Sequence, residues 1–565
     1  MSSPSSQRAA IEIRVQQRLA ALKKGFRQNI GIIGPEGLGK TSFLADLYRS
    51  LSRDPDILAV YVDCQALDFT DLAERWMTAV LACVPSAAEN QNDPLSGQLA
   101  ALESTLPRIV EKVRHLRKMI RRGEKNAAAV RELLGLTHTV SEEAGKKLVL
   151  ILDEFHALSL LPVADPFGLL GRQIMVEKGT LYLAASSKSA LACEIFQHQL
   201  ALLFGNFEII PMATLDSFET VRLLEARLPG LLFSDVQKKL IIRMTDGVPL
   251  YLDLILQHLR EEAGRLSAGG GMREAMAIML ESEILLTAVE EEIFDPHGRI
   301  SQIFQRRLEH SLGTLKEGAV FYRTLIAISE GARKVPVIAA YTDRKVSECK
   351  KILQRLVQEE LVSKHNDFYL IDDALFTFWM REVFAVHKRR AIPFGDERRD
   401  FRLIMNRILE QVDFEGPEAV LSRIEALMKS FRGEPIHLGS KRIRLPHFSE
   451  VSVKASSGRL FPVWAAASEV KWEGQIAFDA IHEEDVLLFT EETRRTGKKK
   501  HFRLIIALGG MDQNARLIAQ EAGISVWSLT ELNLLFSLYN LPKLIWMRKL
   551  DGSTLGTLAQ SLHSA

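Results

Sequence analysis

The chain opens with a polar lead and one helix over residues 1 to about 25, then changes period at NIGIIG, an uninterrupted apolar run of strand length. A helical stretch (TSFLADLYRSL), a strand (ILAVYVDC), a helix to about Val84 and a longer helical stretch from about Leu95 to Leu136 follow. KKLVLILDE is again apolar throughout, the pattern of a strand covered on both faces, and TLYLAASS and FEIIPMATL are two further strands. Strands alternating with helices predict a doubly wound α/β domain with a parallel sheet over residues 1–212, carrying a helical insertion at about 95–136.

Beyond that point the alternation stops. Residues 217 to about 266 have helical period, with TDGVP between two helices, and SAGGG at 267–271 marks a joint, which gives an all-α lid and connector over 213–315. Over 316–390 three helices are followed by ELVSKHNDFYLID, two short strands about a polar turn, the pattern of a winged helix. The charged linker KRRAIPFGDERRD leads into a last α/β domain, 391–565. There the helix FRLIMNRILEQV precedes the hairpin SEVSVKASSGRLFPVW, a strand read through AAASEVKW, a helix, the strand LIIALG, a helix, the strand ISVW and a closing helix. At 565 residues the chain is too long for one core, in keeping with this division.

Composition narrows the classes. With 47% hydrophobic and 25% charged residues the chain is an ordinary globular one, which excludes wholesale disorder. Lys and Arg total 72 against 71 Asp and Glu, so any basic surface for a polyanion has to be local. Cys64, Cys83, Cys193 and Cys349 are scattered without a CxxC pair, against zinc or redox chemistry and for a reducing compartment. The N-terminus has no apolar h-region, and no stretch reaches the roughly 18 apolar residues of a membrane span. A cytoplasmic protein without a membrane partner is the expectation.

GPEGLGKT, residues 34–41, satisfies G-x-x-x-x-G-K-[ST] and stands between a strand and a helix, as a phosphate cradle requires. Gly34, Pro35, Glu36, Gly37, Leu38, Gly39, Lys40, Thr41 and Ser42 would wrap the phosphates with backbone N–H groups, aided by the positive end of the helix. Lys40 would reach the β- and γ-phosphates, and Thr41 would ligate Mg²⁺ together with Asp153 at the end of LVLILDE. Glu154 stands where it would polarise the attacking water.

These residues, with DEFH at 153–156, AASS at 184–187 and TDGVP at 245–249, resemble the archaeal-type P-loop ATPases, a branch related to the STAND and AAA+ proteins. The resemblance covers roughly residues 10–385. It implies ATP with Mg²⁺ as cofactors, Ser186 or Ser187 as a polar sensor near the γ-phosphate, and Gly247 and Pro249 in the lid's G-x-P motif near the nucleotide. Arg172 and Lys188 lie in the region of an arginine finger without marking one.

Two basic stretches can meet nucleic acid, serve a protein contact (a partner helix for the first, a spacer between domains for the second) or be plain solvated surface. Residues 108–125 interleave Arg108, Lys112, Arg114, Arg117, Lys118, Arg121, Arg122 and Lys125 with Ile109, Val113, Leu116 and Ile120. In TDRKVSECKKILQRLVQEELV the expected inward set is Val346, Ile352, Leu353, Leu356 and Val357. Lys345, Ser347, Lys350, Lys351, Gln354 and Arg355 face outward as on a recognition helix that reads DNA.

Several ATPases of this group carry a restriction-endonuclease-like domain of the PD-(D/E)xK type after the winged helix, and the tail is similar to it. Glu469 and Lys471 would be the Glu-x-Lys pair, and Glu450 in SEVSV occupies the region where that family has Asp. Glu410 on the first helix is an alternative acid, and KKKH at 498–501 a local cation cluster. The readings that remain open are an ATP-driven switch on DNA, in defence or mobile-element biology, with a nuclease-like tail; a nucleotide-controlled scaffold that self-assembles as a homo-oligomer; and a DNA loader akin to the origin-recognition ATPases.

Overall fold

Five apolar strands pair into one parallel sheet in the first part of the chain. They are β1 (Asn29–Ile33), β2 (Ile57–Asp63), β3 (Lys147–Asp153), β4 (Thr180–Ser186) and β5 (Phe207–Pro211), in the order β2-β3-β4-β1-β5. The structure, a computed structural model, describes residues 7–84, 94–200, 207–229, 231–268, 278–279, 281–313, 318–389, 396–413, 416–439, 441–454, 459–468, 470–493 and 500–547. It divides into two compact units, one of residues 1–214 with 248–250 and one of residues 215–247 with 251–565.

In the first unit β1 and β4 are buried along their whole length, as strands that are apolar throughout must be. The helix Lys40–Leu51 turns Phe43, Leu44, Leu47 and Leu51 inward at helical spacing. The insertion is not one helical stretch but three helices, Pro94–Leu102, Pro107–Arg121 and Ala127–Ala144, the last running on past Leu136. The breaks have local causes. Pro107 is suited only to a first turn, and the Asn126 side chain accepts from the N–H groups of Ala128 and Ala129 to start a new helix. Helix Pro107–Arg121 has no cap of its own, and Glu143 of the following helix supplies one, accepting from Arg108 N and Ile109 N at 2.8 Å each.

The second unit begins with the helices Ser217–Arg227 and Asp235–Thr245, each started by a capping box (Asp216 with Glu219, Ser234 with Gln237). The short strands β6 (Leu231–Leu232) and β7 (Ile278–Met279) pair in parallel. Helices Gly318–Ser329, Val335–Thr342 and Val346–Gln358 precede an antiparallel hairpin, β8 (Ser363–His365) with β9 (Phe368–Leu370). Within Val346–Gln358 the inward set is Cys349, Leu353 and Leu356. Val346, expected inward, is 46% exposed because the helix starts there, one turn before the buried register begins.

The β8–β9 hairpin does not project into solvent. Phe368 and Leu370 belong to the same buried cluster as Val420, Phe431, Trp472 and Phe536. Polar contacts seal the seam. Lys334 Nζ donates to Glu434 Oε1 and Tyr539 Oη to Glu434 Oε2, both at 2.8 Å, while Arg333 Nε donates to the Ser537 carbonyl at 3.2 Å. Phe368 is 2% exposed, so Phe368→Ala is expected to cost the second unit about 3–5 kcal/mol, read as a lower urea midpoint.

After the hairpin β10 (Pro435–Leu438) with β11 (Lys441–Arg444), the last sheet contains β12 (Glu450–Val453), β13 (Leu460–Ala466), β14 (Val470–Ala477), β15 (Lys500–Ala507) and β16 (Ser525–Ser528) in sequential order. The first three are antiparallel neighbours and the last three parallel. AAASEVKW is therefore not one strand. Ala465 and Ala466 end β13, the Ala467 N–H donates to the Val470 carbonyl at 2.9 Å, and β14 starts beyond it. One sheet face packs Val463, Trp472, Leu504 and Trp527 against the helices Pro417–Lys429 and Leu529–Leu538. The other packs Ile505, Ala477 and Ala507 against Glu483–Thr493 and Gln513–Glu521.

Candidate functional site

All five strands of the first sheet run the same way, so their C-terminal ends share one edge, where ligands of open α/β sheets bind. β1 ends in the glycine-rich loop, β3 in Asp153 and β4, between them, in Ser186. The Gly34 N–H donates to the Ser186 carbonyl at 3.2 Å, which pins the loop's first residue to that edge.

Gly37 and Gly39 both adopt φ +85°, a left-handed conformation that side chains rarely take. Contacts close the loop as well. A Cβ on Gly37 would lie 3.2 Å from Val248 and from Leu250, and the Leu250 N–H donates to the Gly37 carbonyl at 3.1 Å, which sets Pro249 beside the loop. Helix Lys40–Leu51 has no side-chain cap, so its first N–H groups are left to an anion. Leu38 is buried beneath the loop, whereas Pro35, Glu36, Thr41 and Ser42 are exposed.

Lys40 is buried, its Nζ donating to the carbonyls of Gly34 at 2.7 Å and Pro35 at 2.8 Å. Burial lowers its pKa from that of an ordinary lysine, a shift opposed by the negative charges of Glu154, Asp153 and Glu36. A desolvated ammonium is favoured in its charged form by a nearby anion, the role a polyphosphate would fill.

Asp153 is buried and fixed. Its Oδ2 accepts from Tyr61 Oη at 2.9 Å and its Oδ1 from the Glu154 N–H at 3.0 Å. Burial and the Asp153 charge push the Tyr61 phenol up, so it remains a donor. Glu154 has φ +47°, a left-handed conformation that costs a non-glycine residue about 1–3 kcal/mol and is common at functional sites. Its Oε2 accepts from the Ser187 N–H and hydroxyl, both at 2.8 Å, and lies 3.3 Å from His156 Nδ1. The same Nδ1 is 2.9 Å from Ser186 Oγ. The two serines are thus separated: Ser186 is buried and joined to His156, and Ser187 clamps Glu154.

Burial opposes charge on Glu154, but the bonds from His156 and Ser187 and the Lys40 charge outweigh it and hold the carboxyl below its ordinary value of 4.5. The depressed value adds stability above the unfolded carboxylate pKa, which is lost as pH falls through the folded one. Removing the partners in His156→Ala/Ser187→Ala moves the acid limb of any turnover that depends on Glu154 upward in a pH–rate profile; an unmoved limb assigns it to another group.

His156 and Tyr61 escaped the sequence. His156 stood in the quoted DEFH with no role attached. Tyr61 reads as core in an apolar strand, and only the register that sets Asp63 opposite Asp153 puts it diagonal to that carboxylate. Arg172 is exposed on the helix Pro166–Val176, and Lys188 is half-buried at the start of Ser189–Glu194.

The fit of the two expected groups differs. The phosphate cradle, the Lys40 ammonium, the Thr41 hydroxyl and the Asp153 carboxylate make a donor set suited to a nucleoside triphosphate with Mg²⁺. Among the described residues the C-terminal sheet groups no comparable set for a metal. Glu469 lies outside the described residues, as do Lys498 and Lys499 of KKKH. Glu450, exposed on β12, is opposite Ala466, which is opposite Lys471, so two strand spacings, roughly 9.5 Å, separate the two backbones. Lys471 Nζ is engaged by Glu473 Oε1 at 3.0 Å and lies over the Trp464 ring. Glu410 is exposed on the helix Asp396–Asp413. Among the described residues no three His, Cys, Asp or Glu side chains are grouped to hold a metal, and no helix is long and apolar enough to cross a membrane.

No family model matches the chain, and no curated protein matches it. Among solved structures it is similar to the Walker-type ATPase PABY2304 of Pyrococcus abyssi, at 13% identity and TM-score 0.43 over 64% of this chain and 93% of that one. It is also similar to the ORC2 protein of Aeropyrum pernix in ADPNP–ADP complexes, at 16% identity and TM-score 0.43 over 68% and 95%. Cdc6p from Pyrobaculum aerophilum is a third, at 13% identity and TM-score 0.32 over 67% and 96%. Likenesses of this degree decide nothing about this chain, whose reading rests on its own sheet order and loop geometry.

Proposed function

We propose that the chain binds and hydrolyses ATP and uses that cycle as a switch acting on DNA. The observation that carries the proposal is the sheet order, which puts the glycine-rich loop, Asp153 with Glu154, and Ser186 on one strand-end edge. Bound MgATP supplies an activated phosphoryl group whose transfer to water needs charge neutralisation and a positioned nucleophile. In this reading the loop N–H groups and Lys40 hold the phosphates, and Thr41 and Asp153 hold the ion. Glu154, kept ionised by its partners, polarises the water, and Ser186 or Ser187 senses the terminal phosphate. Pro249, beside the loop, would belong to the nucleotide site.

DNA is proposed as the partner because helix Val346–Gln358 exposes Lys350, Lys351, Gln354 and Arg355 on one side, with Lys345 exposed at its N-cap. The β8–β9 hairpin is committed to packing, so this helix is the part of a winged-helix module left for a groove. Metal-dependent cleavage by the tail would rest on Glu469, which lies outside the described residues, with Lys471 and Glu450; cleavage of DNA with Mg²⁺ or Mn²⁺ that is lost in Lys471→Ala would support it, and no cleavage by the wild type with either metal would remove it. The test is ATP turnover with and without duplex DNA. DNA is expected to stimulate the wild type, and Lys345→Gln/Lys350→Gln/Lys351→Gln to lower that stimulation while leaving basal turnover intact. Equal stimulation of both proteins removes the recognition-helix assignment, and no stimulation by any DNA form favours the nucleotide-controlled scaffold.

A further inference from the structure

The helical insertion of the first unit holds a second concentration of charge, in a cleft of about 430 Å³ between helices Pro94–Leu102 and Pro107–Arg121. Its lining includes Arg114, Arg117, Lys118, Arg121 and Arg122. We infer that this cleft is a binding site for the phosphate backbone of nucleic acid, separate from the recognition helix; the inference rests on the reading of the chain as one that acts on DNA.

Solvated surface helices ordinarily interleave opposite charges, which support one another at i, i+4. Helix Pro107–Arg121 does not: it carries six basic residues and one acidic one, Glu111. Its inner side, Ile109, Val110, Val113, Leu116 and Ile120, is buried, so the backbone that carries the cations is fixed. Two of the arginines are also held as side chains. Arg114 Nη1 meets Glu103 Oε1 at 2.6 Å and Arg117 Nη1 donates to Ser96 Oγ at 2.9 Å. Lys118, Arg121 and Arg122 have no carboxylate partner among the described residues.

The five cations fall at i, i+3, i+4, i+7 and i+8 from Arg114, so they share one side of the helix. From Arg114 to Arg122 they extend about 12 Å along the axis at 1.5 Å per residue. One strand of a duplex carries a charge per about 3.4 Å of helix axis, so that length spans about three or four phosphates, a better match to a polyanion than to a single phosphate. Four of the five are arginines, whose planar donor fork suits phosphate oxygens.

The test is binding of a fluorescein-labelled duplex, followed by anisotropy over a salt series, for wild type and Lys118→Gln/Arg121→Gln/Arg122→Gln. Loss of three phosphate contacts is expected to make the slope of log K against log salt shallower by about 2.7 and to weaken binding at least tenfold at low salt. Basal ATP turnover stays unchanged. Arg122→Gln alone, at an exposed position just past the helix, is expected to change the slope by about 0.9 and serves if the triple variant folds poorly. Wild-type slope and affinity in both variants overturn the cleft assignment and leave the DNA reading intact. A wild type that binds no duplex overturns both.

Discussion

Glu154→Gln is expected to bind MgATP as the wild type does and to hydrolyse it on the order of 10²–10⁴ times more slowly, the range for removal of a positioned general base. Glutamine keeps the length of the side chain and one acceptor oxygen, so the Ser187 contacts that fix it at 2.8 Å are largely retained. What disappears is the negative charge that the surrounding hydrogen bonds preserve. The pair of readouts separates roles. Undiminished nucleotide affinity with lost turnover places Glu154 at the nucleophile. Lost affinity would place it in binding, and unchanged turnover would remove it from the reaction.

Lys40→Ala is expected to abolish nucleotide binding itself. At 100 times its dissociation constant a ligand stabilises a protein by about 2.7 kcal/mol, which for a unit of this size is a rise in melting temperature of roughly 5–10 °C. MgATP should produce that rise in the wild type and none in Lys40→Ala. Without nucleotide the two proteins should melt close together. The variant loses hydrogen bonds to two carbonyls but also sheds a buried charge, effects of opposite sign.

The glycine-rich loop was legible in the sequence because it is contiguous: strand, glycine turn and helix lie within one short stretch, and Gly37 and Gly39 meet a local conformational need. Asp153 and Glu154 were legible for a similar reason, as the first acidic residues after an apolar run. What could not be read were contacts set by register. Tyr61 reaches Asp153 through the pairing of β2 with β3, and His156 joins Ser186 across the β3–β4 edge. The tail shows the opposite failure. AAASEVKW was read as lying in one strand, yet the stretch crosses from β13 to β14, since a short apolar tract of small residues does not reveal where a chain turns. The hairpin after Val346–Gln358 was found in the sequence, but not that Phe368 is buried with Trp472 and Phe536, which follow it by more than a hundred residues.

Phosphate release from MgATP by wild type and Lys40→Ala, measured side by side with and without duplex DNA, bears most directly on the central claim. The wild type should release phosphate, faster with DNA, and Lys40→Ala should stay at background in both conditions. Equal turnover by the two proteins would contradict the assignment of catalysis to the edge formed by the glycine-rich loop, Asp153 and Glu154.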